Sequence, residues 1–348
     1  MTGRQVPRGL RPLRAGACLS LSGQYARFGR QAARALGIWR SMDGAADLVL
    51  EDDGSSPRTL GDVLPRVAAR CDVLLGPYST RLARAAGRIA ADAGLLLWNH
   101  GGAGDDVALA HPGHVVCVLT PASRYSEPFL RLLAGDQPRP VLWITRGGGR
   151  FARRVADGAQ QMARRLGIGT ICPGEPGALP GEPGAPDGPA AGWDLLTAGS
   201  FGEDIETVRR ARHLPRPPRR VCAVAAGVRE FAAAAGNARG VFGIAQWFPG
   251  SGHGAELGPD EAAFLRAYAA EAGAVPDYPA VQAVAAAVLA AHCARLAGGT
   301  ARDLLWAAAA GLDTSTLFGT FRIDPATGVQ AAHETVLVRW TPEGLSAA

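Results

Sequence analysis

The chain has 348 residues, 47% of them apolar and 19% charged, which at roughly 150 residues per domain is enough for two buried cores and excludes a disordered chain. No run approaches the ~18 consecutive apolar residues of a membrane span, so no membrane-spanning segment is expected. The formal charge of +5 rests on 36 arginines and no lysine in an alanine- and glycine-rich background, a compositional bias that gives no reason to expect a nucleic-acid partner.

Residues 1–14 carry Arg4, Arg8, Arg11 and Arg14 with Pro7 and Pro12, and read as a basic, disordered arm. They lack the apolar stretch of about 7 to 15 residues that a secretory signal needs, so no signal peptide is expected. Ala15 to Cys18 loosely matches a lipoprotein cleavage box, but it sits inside an apolar run, Ala15 to Leu21, that reads as a first strand. The six cysteines are scattered without CxxC or Cys/His spacing, which points to buried reduced thiols and to no metal site.

Beyond that strand, Phe28, Ala32, Ala35, Leu36, Trp39 and Met42 recur at helical spacing. Leu48 to Leu50 and Val73 to Leu75 read as strands flanking a helix, for which Thr59 and Asp62 form an apparent capping box. Ser79 or Thr80 starts a helix reaching about Ala93, before strands at Leu95 to Trp98 and Val115 to Leu119. After Pro121 the alternation restarts, with a helix from Tyr125 to Leu133, a strand from Val141 to Ile144 and a helix from Phe151 to Leu166. Residues 172–192 are a Pro/Gly-rich loop. Strands at Leu195–Leu196, Val221 to Ala225 and Val241 to Trp247 follow, then three helices around 259–272, 279–297 and 302–310. Phe321 to Ile323, the turn Asp324 to Gly328, and Val336 to Trp340 read together as a β-hairpin. The alternation of short apolar runs and amphipathic helices is that of parallel βα units, an α/β chain.

Three loops follow the C-terminal ends of strands in the first half, where doubly wound sheets bind ligands: Leu21 to Gly29, Gly76 to Thr80, and Asn99 to Asp106. Ser79 and Thr80 open a helix, so their hydroxyls and backbone N–H groups either hold an acceptor on a ligand or serve only as a cap. Gly147 to Arg150 forms either a phosphate nest or a plain glycine turn. No dinucleotide fingerprint, P-loop, nucleophile elbow or zinc-protease motif is present. His100 sits where a general base could act, without a partnered nucleophile in its motif, and the pairs Asp52–Asp53 and Asp105–Asp106 read as caps or solvated groups. No catalytic residue and no cofactor is expected.

Taken in order, Leu-Ser-Gly-x-Tyr-Ala-x-Phe-Gly (21–29), Glu-Asp-Asp-Gly-Ser-Ser-Pro (51–57), Asp-Val-Leu-Leu-Gly-Pro-Tyr-Ser-Thr (72–80) and Leu-Leu-Leu-Trp-Asn-His-Gly-Gly-Ala (95–103) resemble the type I periplasmic binding proteins of the leucine/isoleucine/valine-binding family. The likeness continues through 238–249, 278–288 and 319–328, and covers about residues 15 to 342. It implies two Rossmann-like lobes joined by three crossovers, near Pro121, Pro249 and Phe318–Gly319, with a ligand cleft between them. Lobe I would be 15–120 plus 250–318, and lobe II 121–249 plus 319–342, with 172–192 as a loop of lobe II.

The resemblance implies ligand contacts at Phe28, an aromatic wall; at Ser79 and Thr80, which grip a ligand carboxylate; at Gly102 and Ala103; and at Phe201. Tyr25, Tyr78, His100 and Asp105 are further candidates. Ala103 stands where the family often has a threonine, and Phe201 where it has a tyrosine. The segment Val224 to Gly227 lacks the acid that pairs a ligand ammonium in amino-acid receptors, unless Asp105, Glu203 or Asp204 reaches it. The implied function is a substrate-binding receptor, not an enzyme, that captures a small polar organic molecule (an amino acid, amide or carboxylate) by hinge closure for an ABC importer. Its partners would be permease subunits, and its place the cell envelope, periplasmic or extracellular. With no signal peptide, the alternative is a cytoplasmic ligand-sensing regulator of the same fold acting on a regulatory protein. A remoter one is a cleft enzyme using His100 with Asp105 or Asp106.

Overall fold

The structure, a computed structural model, describes residues 12–44, 46–183, 185–186, 188–189, 192–251 and 254–348. Residues 1–11 of the expected basic arm and four positions of the 172–192 loop lie outside the described residues. The arm as read from sequence is too long at its end, because Leu13 and Arg14 already belong to the first strand and Asp72 accepts the Arg14 backbone N–H.

The first sheet is parallel. Its elements are β1 (Leu13–Leu19), α1 (Ala26–Asp43), β2 (Ala46–Asp52), α2 (Pro57–Ala68), β3 (Val73–Leu75), α3 (Thr80–Asp92), β4 (Leu97–Asn99), α4 (Asp106–Leu109) and β5 (Val115–Cys117), with strand order β2-β1-β3-β4-β5. A 3-10 turn at Ala122–Arg124 leads into α5 (Glu127–Ala134), β6 (Val141–Arg146), α6 (Arg150–Leu166), β7 (Gly169–Ile171), β8 (Trp193–Ala198), α7 (Phe201–Arg212), β9 (Val221–Ala223), α8 (Glu230–Ala235) and β10 (Phe242–Ala245). Then come α9 (Glu261–Ala272), α10 (Tyr278–Ala297), α11 (Arg302–Ala310), the small antiparallel pair β11 (Thr314–Thr316) and β12 (Gly319–Phe321), and β13 (Val336–Thr341) with β14 (Gly344–Ala347). The second sheet has the order β14-β13-β10-β9-β8-β6-β7.

The chain passes between the sheets three times. It leaves β5 for the second sheet, returns after β10 because α9 and α10 pack on α1, and leaves again between β12 and β13. Residues that follow β12 stay close to the first sheet, since Gly328 and Val118 carbonyls bond Cys117 and Gln330 respectively.

Two local readings of the sequence are corrected. The α2 cap is Ser56, whose hydroxyl accepts from Thr59 N, and Pro57 takes the first helical turn, where its missing N–H costs nothing. The hairpin does not form between 321–323 and 336–340. Phe321 pairs back to Thr314, the 324–328 turn closes a single Ile323–Gln330 bridge, and β13 instead runs antiparallel along β10. The free edge of β10 offers a full row of backbone partners, which a short strand separated by a long loop cannot match.

The helix α10 is apolar on every side, with a mean hydropathy of 1.5, and it is long and apolar enough by length and composition to cross a membrane. Here 78% of that stretch is buried, packed against α1 and α11 and over β1, β3 and β4. An all-round apolar helix suits this place because every face meets protein. Helix α1 approaches β1 closely at Gly29, where a Cβ would lie 2.1 Å from the Ser20 carbonyl oxygen, so only glycine lets the helix sit this near the strand end. Cys18, in the apparent lipoprotein box, is buried in β1.

Candidate functional site

The loops after β1, β3 and β4 meet at one edge of the first sheet, as the strand order requires. The loop after β1 is shaped by the Asp52–Asp53 pair. Asp52 accepts from the Leu21 and Ser22 backbone and from the Ser22 hydroxyl at 2.6 Å, and buried Asp53 accepts from Ser20 Oγ at 2.6 Å. The pair builds the loop and carries no chemistry of its own.

Ser79 is held at φ +89°, a left-handed backbone that a serine rarely adopts, with its N–H donated to the Gly101 carbonyl at 2.9 Å. Its hydroxyl accepts from Leu82 N at 3.3 Å, and the Thr80 hydroxyl accepts from Gly104 N at 3.0 Å. Each hydroxyl thus spends a lone pair on backbone and, among the described residues, donates its own hydrogen to no acceptor. The third loop is organised by buried Asn99, whose amide accepts from Gly101 N and Gly102 N and donates to the Gly102 carbonyl and Cys117 Sγ. Gly102 and Ala103 are buried and line a small void with Cys117, Leu119 and Pro121. At Gly102 a side chain is excluded, since a Cβ would meet Ala83 Cβ at 2.2 Å.

Aromatic side chains converge above these loops. Phe28 stacks on Tyr78 with centroids 4.4 Å apart, Tyr25 lies 6.1 Å from Tyr78, and the hydroxyls of Tyr78 and Tyr278 are 3.5 Å apart. Burial pushes the phenols of Tyr78, Tyr278 and Tyr125 upward, so all three stay protonated. From the second sheet, Phe201 at the start of α7 packs edge-on against Phe231. Arg27 joins the two sides: its guanidinium carbon lies 4.5 Å from the Phe28 centroid and 4.0 Å from that of Phe201. Its buried Nε has no hydrogen-bond partner among the described residues.

Of the residues singled out in sequence, Tyr25, Phe28, Tyr78 and Phe201 thus belong to one cluster, with Ser79 and Thr80 next to Tyr78 in the chain. His100 is sealed from solvent, and burial lowers its imidazole to about 4, so it stays neutral and out of reach of a solute. Asp105 accepts from the Ser123 hydroxyl at 2.8 Å through Oδ1 and ties the third loop to the first crossing, while its buried Oδ2 has no partner among the described residues and Asp105 shares the void with Gly102 and Ala103. The other two acids are engaged as well. Glu203 closes a capping box with Ser200 and accepts from Gly148 N, bonds that hold it below the usual range. Asp204 is fully buried, accepts from Thr197 Oγ1 and Ala225 N, and is pushed up to about 7 by that burial. The glycine turn at 147–150 has its Gly148 N–H occupied by Glu203, so it is a turn and not an open phosphate nest.

Four residues that the sequence reading passed over complete the site. Arg27 stands at a variable-looking position inside the 21–29 motif, and Tyr278 opens the 278–288 motif; both were legible as motif members and neither as cleft residues. Gln246 lies inside the 238–249 motif and was legible in the same way, whereas Asp277, just before the 278–288 motif, carried no signal. Gln246 sits at the second crossing and pairs with both peptide groups of Thr120 at the first, accepting its N–H and donating to its carbonyl, each at 3.0 Å. Asp277 at the start of α10 pairs with Arg229 beside α8 at 2.8 Å, a second contact between the two sides. Among the described residues no group of three or more His, Cys, Asp or Glu could hold a metal ion.

Comparison with known proteins agrees with this architecture. A family model described as periplasmic binding protein matches residues 12–345. The chain belongs to the type I periplasmic binding protein family. It is similar to a leucine-binding protein, LivK, of Thermotoga maritima, at 14% identity and a TM-score of 0.79 over 97% of each chain. It is also similar to a solute-binding protein of an ABC transporter from Rhodopseudomonas palustris in complex with 3,4-dihydroxybenzoic acid, at 18% identity and a TM-score of 0.73 over 96% of this chain and 95% of that one. A further R. palustris solute-binding protein, in complex with benzoate, shares 16% identity and a TM-score of 0.73 over 97% and 95%. At these identities the likeness is one of fold. No curated protein matches by sequence.

Proposed function

We propose that this periplasmic binding protein is a non-catalytic receptor that captures a small polar organic molecule between two closing lobes and hands it to ABC permease subunits. Lobe I is 15–120 plus 250–318 and lobe II 121–249 plus 319–342, and the solute sits among Phe28, Ser79, Thr80 and Phe201, flanked by Tyr25, Tyr78, Gly102 and Ala103. The observation that carries the reading is Arg27, a lobe I side chain whose guanidinium touches an aromatic ring on each side of one cleft. A site assembled from both sheets forms only when they approach, which is how binding couples to closure. Proteins of this fold in complex with Leu, benzoate or 3,4-dihydroxybenzoic acid support a solute of that size. His100 is neutral and buried and Asp105 is tied to Ser123, so neither supports proton transfer to a bound solute. A cell-envelope location follows from the importer role.

Native mass spectrometry of freshly purified protein should show a mass increment that names a retained solute. The double substitution Ser79→Ala with Thr80→Ala should abolish retention while the circular dichroism spectrum stays unchanged. Retention by that variant would place the site elsewhere.

A further inference from the structure

Resting on the receptor reading, we infer that the solute is a carboxylate that carries no ammonium group, with Arg27 as the residue that selects it. Three polar groups of the proposed site are donors: the Arg27 guanidinium and the Ser79 and Thr80 hydroxyls. Arg27 has no carboxylate within ion-pairing distance among the described residues, and its buried Nε lacks a partner. Contact with the faces of Phe28 and Phe201 uses the rings' negative quadrupole and leaves the guanidinium's own N–H bonds to give away. Ser79 and Thr80 each keep a hydroxyl hydrogen after accepting from backbone. A guanidinium and two hydroxyl donors match a carboxylate, which accepts at both oxygens.

An ammonium finds less. Asp52 holds the loop after β1, Glu203 holds Gly148 and Ser200, Asp204 is buried in the first turn of α7 on Thr197 and Ala225, and Asp277 is paired with Arg229, which leaves Asp53, Asp105 and Glu230, each with one buried oxygen that has no partner among the described residues, as the acids that an ammonium would have to reach. Placing a second cation beside an uncompensated Arg27, away from water, is repulsive and costs the ammonium its hydration. The ring faces of Phe28, Tyr78 and Phe201 complete the site with walls for an apolar or aromatic body.

The test uses matched probes on the full chain, by calorimetry and thermal shift at pH 7.5. One set is 3-phenylpropionate, phenylalanine, 2-phenylethylamine and 3-phenylpropanamide; the other is 4-methylpentanoate, leucine, isoamylamine and 4-methylpentanamide. The carboxylates should bind at least tenfold more tightly than the matching amino acids and amides, and the amines should give no heat. Arg27→Gln should weaken carboxylate binding a hundredfold or more with an unchanged melting temperature, and Arg27→Lys should restore part of it, a pattern that simple loss of packing does not produce. Tighter binding of an amino acid, amide or amine, or full affinity in Arg27→Gln, overturns the inference and leaves the receptor reading standing. No stabilisation by any probe at 10 mM overturns both.

Discussion

At Asp204 a single carboxylate is buried so deeply that its hydrogen bonds from Thr197 and Ala225 do not offset the lost hydration, and its pKa rises to about 7. The raised value sets a sign. In the unfolded chain the group ionises near 4, so between about pH 4 and 7 the folded protein holds a proton that the unfolded chain releases, and stability falls as pH rises through that window. Asparagine keeps the shape of the protonated acid. Asp204→Asn should therefore gain on the parent as pH is raised from 5 to 8, by on the order of 3 kcal/mol at the upper end in urea denaturation. A constant difference across that range would show that Asp204 is ionised in the fold throughout. His100 and His333, both lowered to about 4 by burial, act in the opposite direction and cancel in the comparison because they are common to both proteins. At this scale the sequence was least informative. Asp105, Glu203 and Asp204 looked equally able to meet an ammonium, and what separates them is the set of neighbours each one acquires on folding.

Elements were far more legible, because their type follows from periodicity and their placement from strand order. The apolar stripe of α1, the all-apolar α10 and the short strands between them are visible as residue spacing. What spacing misses is how closely two elements approach. Gly29 is the contact that lets α1 rest on the end of β1, and the same turn of helix carries Arg27 and Phe28. Gly29→Ala should cost about 1–3 kcal/mol through overpacking against Ser20 and should also reduce solute affinity, because moving α1 moves both side chains. Thermal unfolding and calorimetry on one preparation check the two effects together; loss of stability with intact affinity would mean that the site does not depend on the position of α1. The misread hairpin has the same origin: β13 chose the open edge of β10 over its near neighbour in sequence, and an available edge is a property of the sheet.

For the whole molecule, the three crossings and the bridges across the cleft decide behaviour. The Gln246 amide reads both peptide groups of Thr120 and so clips two crossings together. Gln246→Ala would leave a buried N–H and carbonyl without partners, at a cost of about 1–3 kcal/mol in stability. The Arg229–Asp277 pair joins α8 to α10, elements of opposite sides, and is made only when the sides are close. Asp277→Asn should lower solute affinity several-fold with a smaller change in melting temperature, and small-angle scattering should show a more open average shape; unchanged affinity would mean that the pair plays no part in closure. Because α10 is laid over β1, β3 and β4 from far along the chain, a fragment ending near residue 121 should fail to fold, giving an uncooperative melt.

Composition and the spacing of apolar residues by themselves determined the α/β class, the alternation of strands and helices, and the edge of the sheet where the loops after β1, β3 and β4 gather, because these depend on interactions between residues near one another in the chain. Motif order went further, to the family. Tertiary structure alone decided that Arg27 meets Phe201, that Glu203, Asp204 and Asp277 are already engaged, and that Gln246 clips Thr120. Each of those is a contact between distant segments, and the charge and hydrogen-bonding capacity left over for a solute is known only when every such contact has been made.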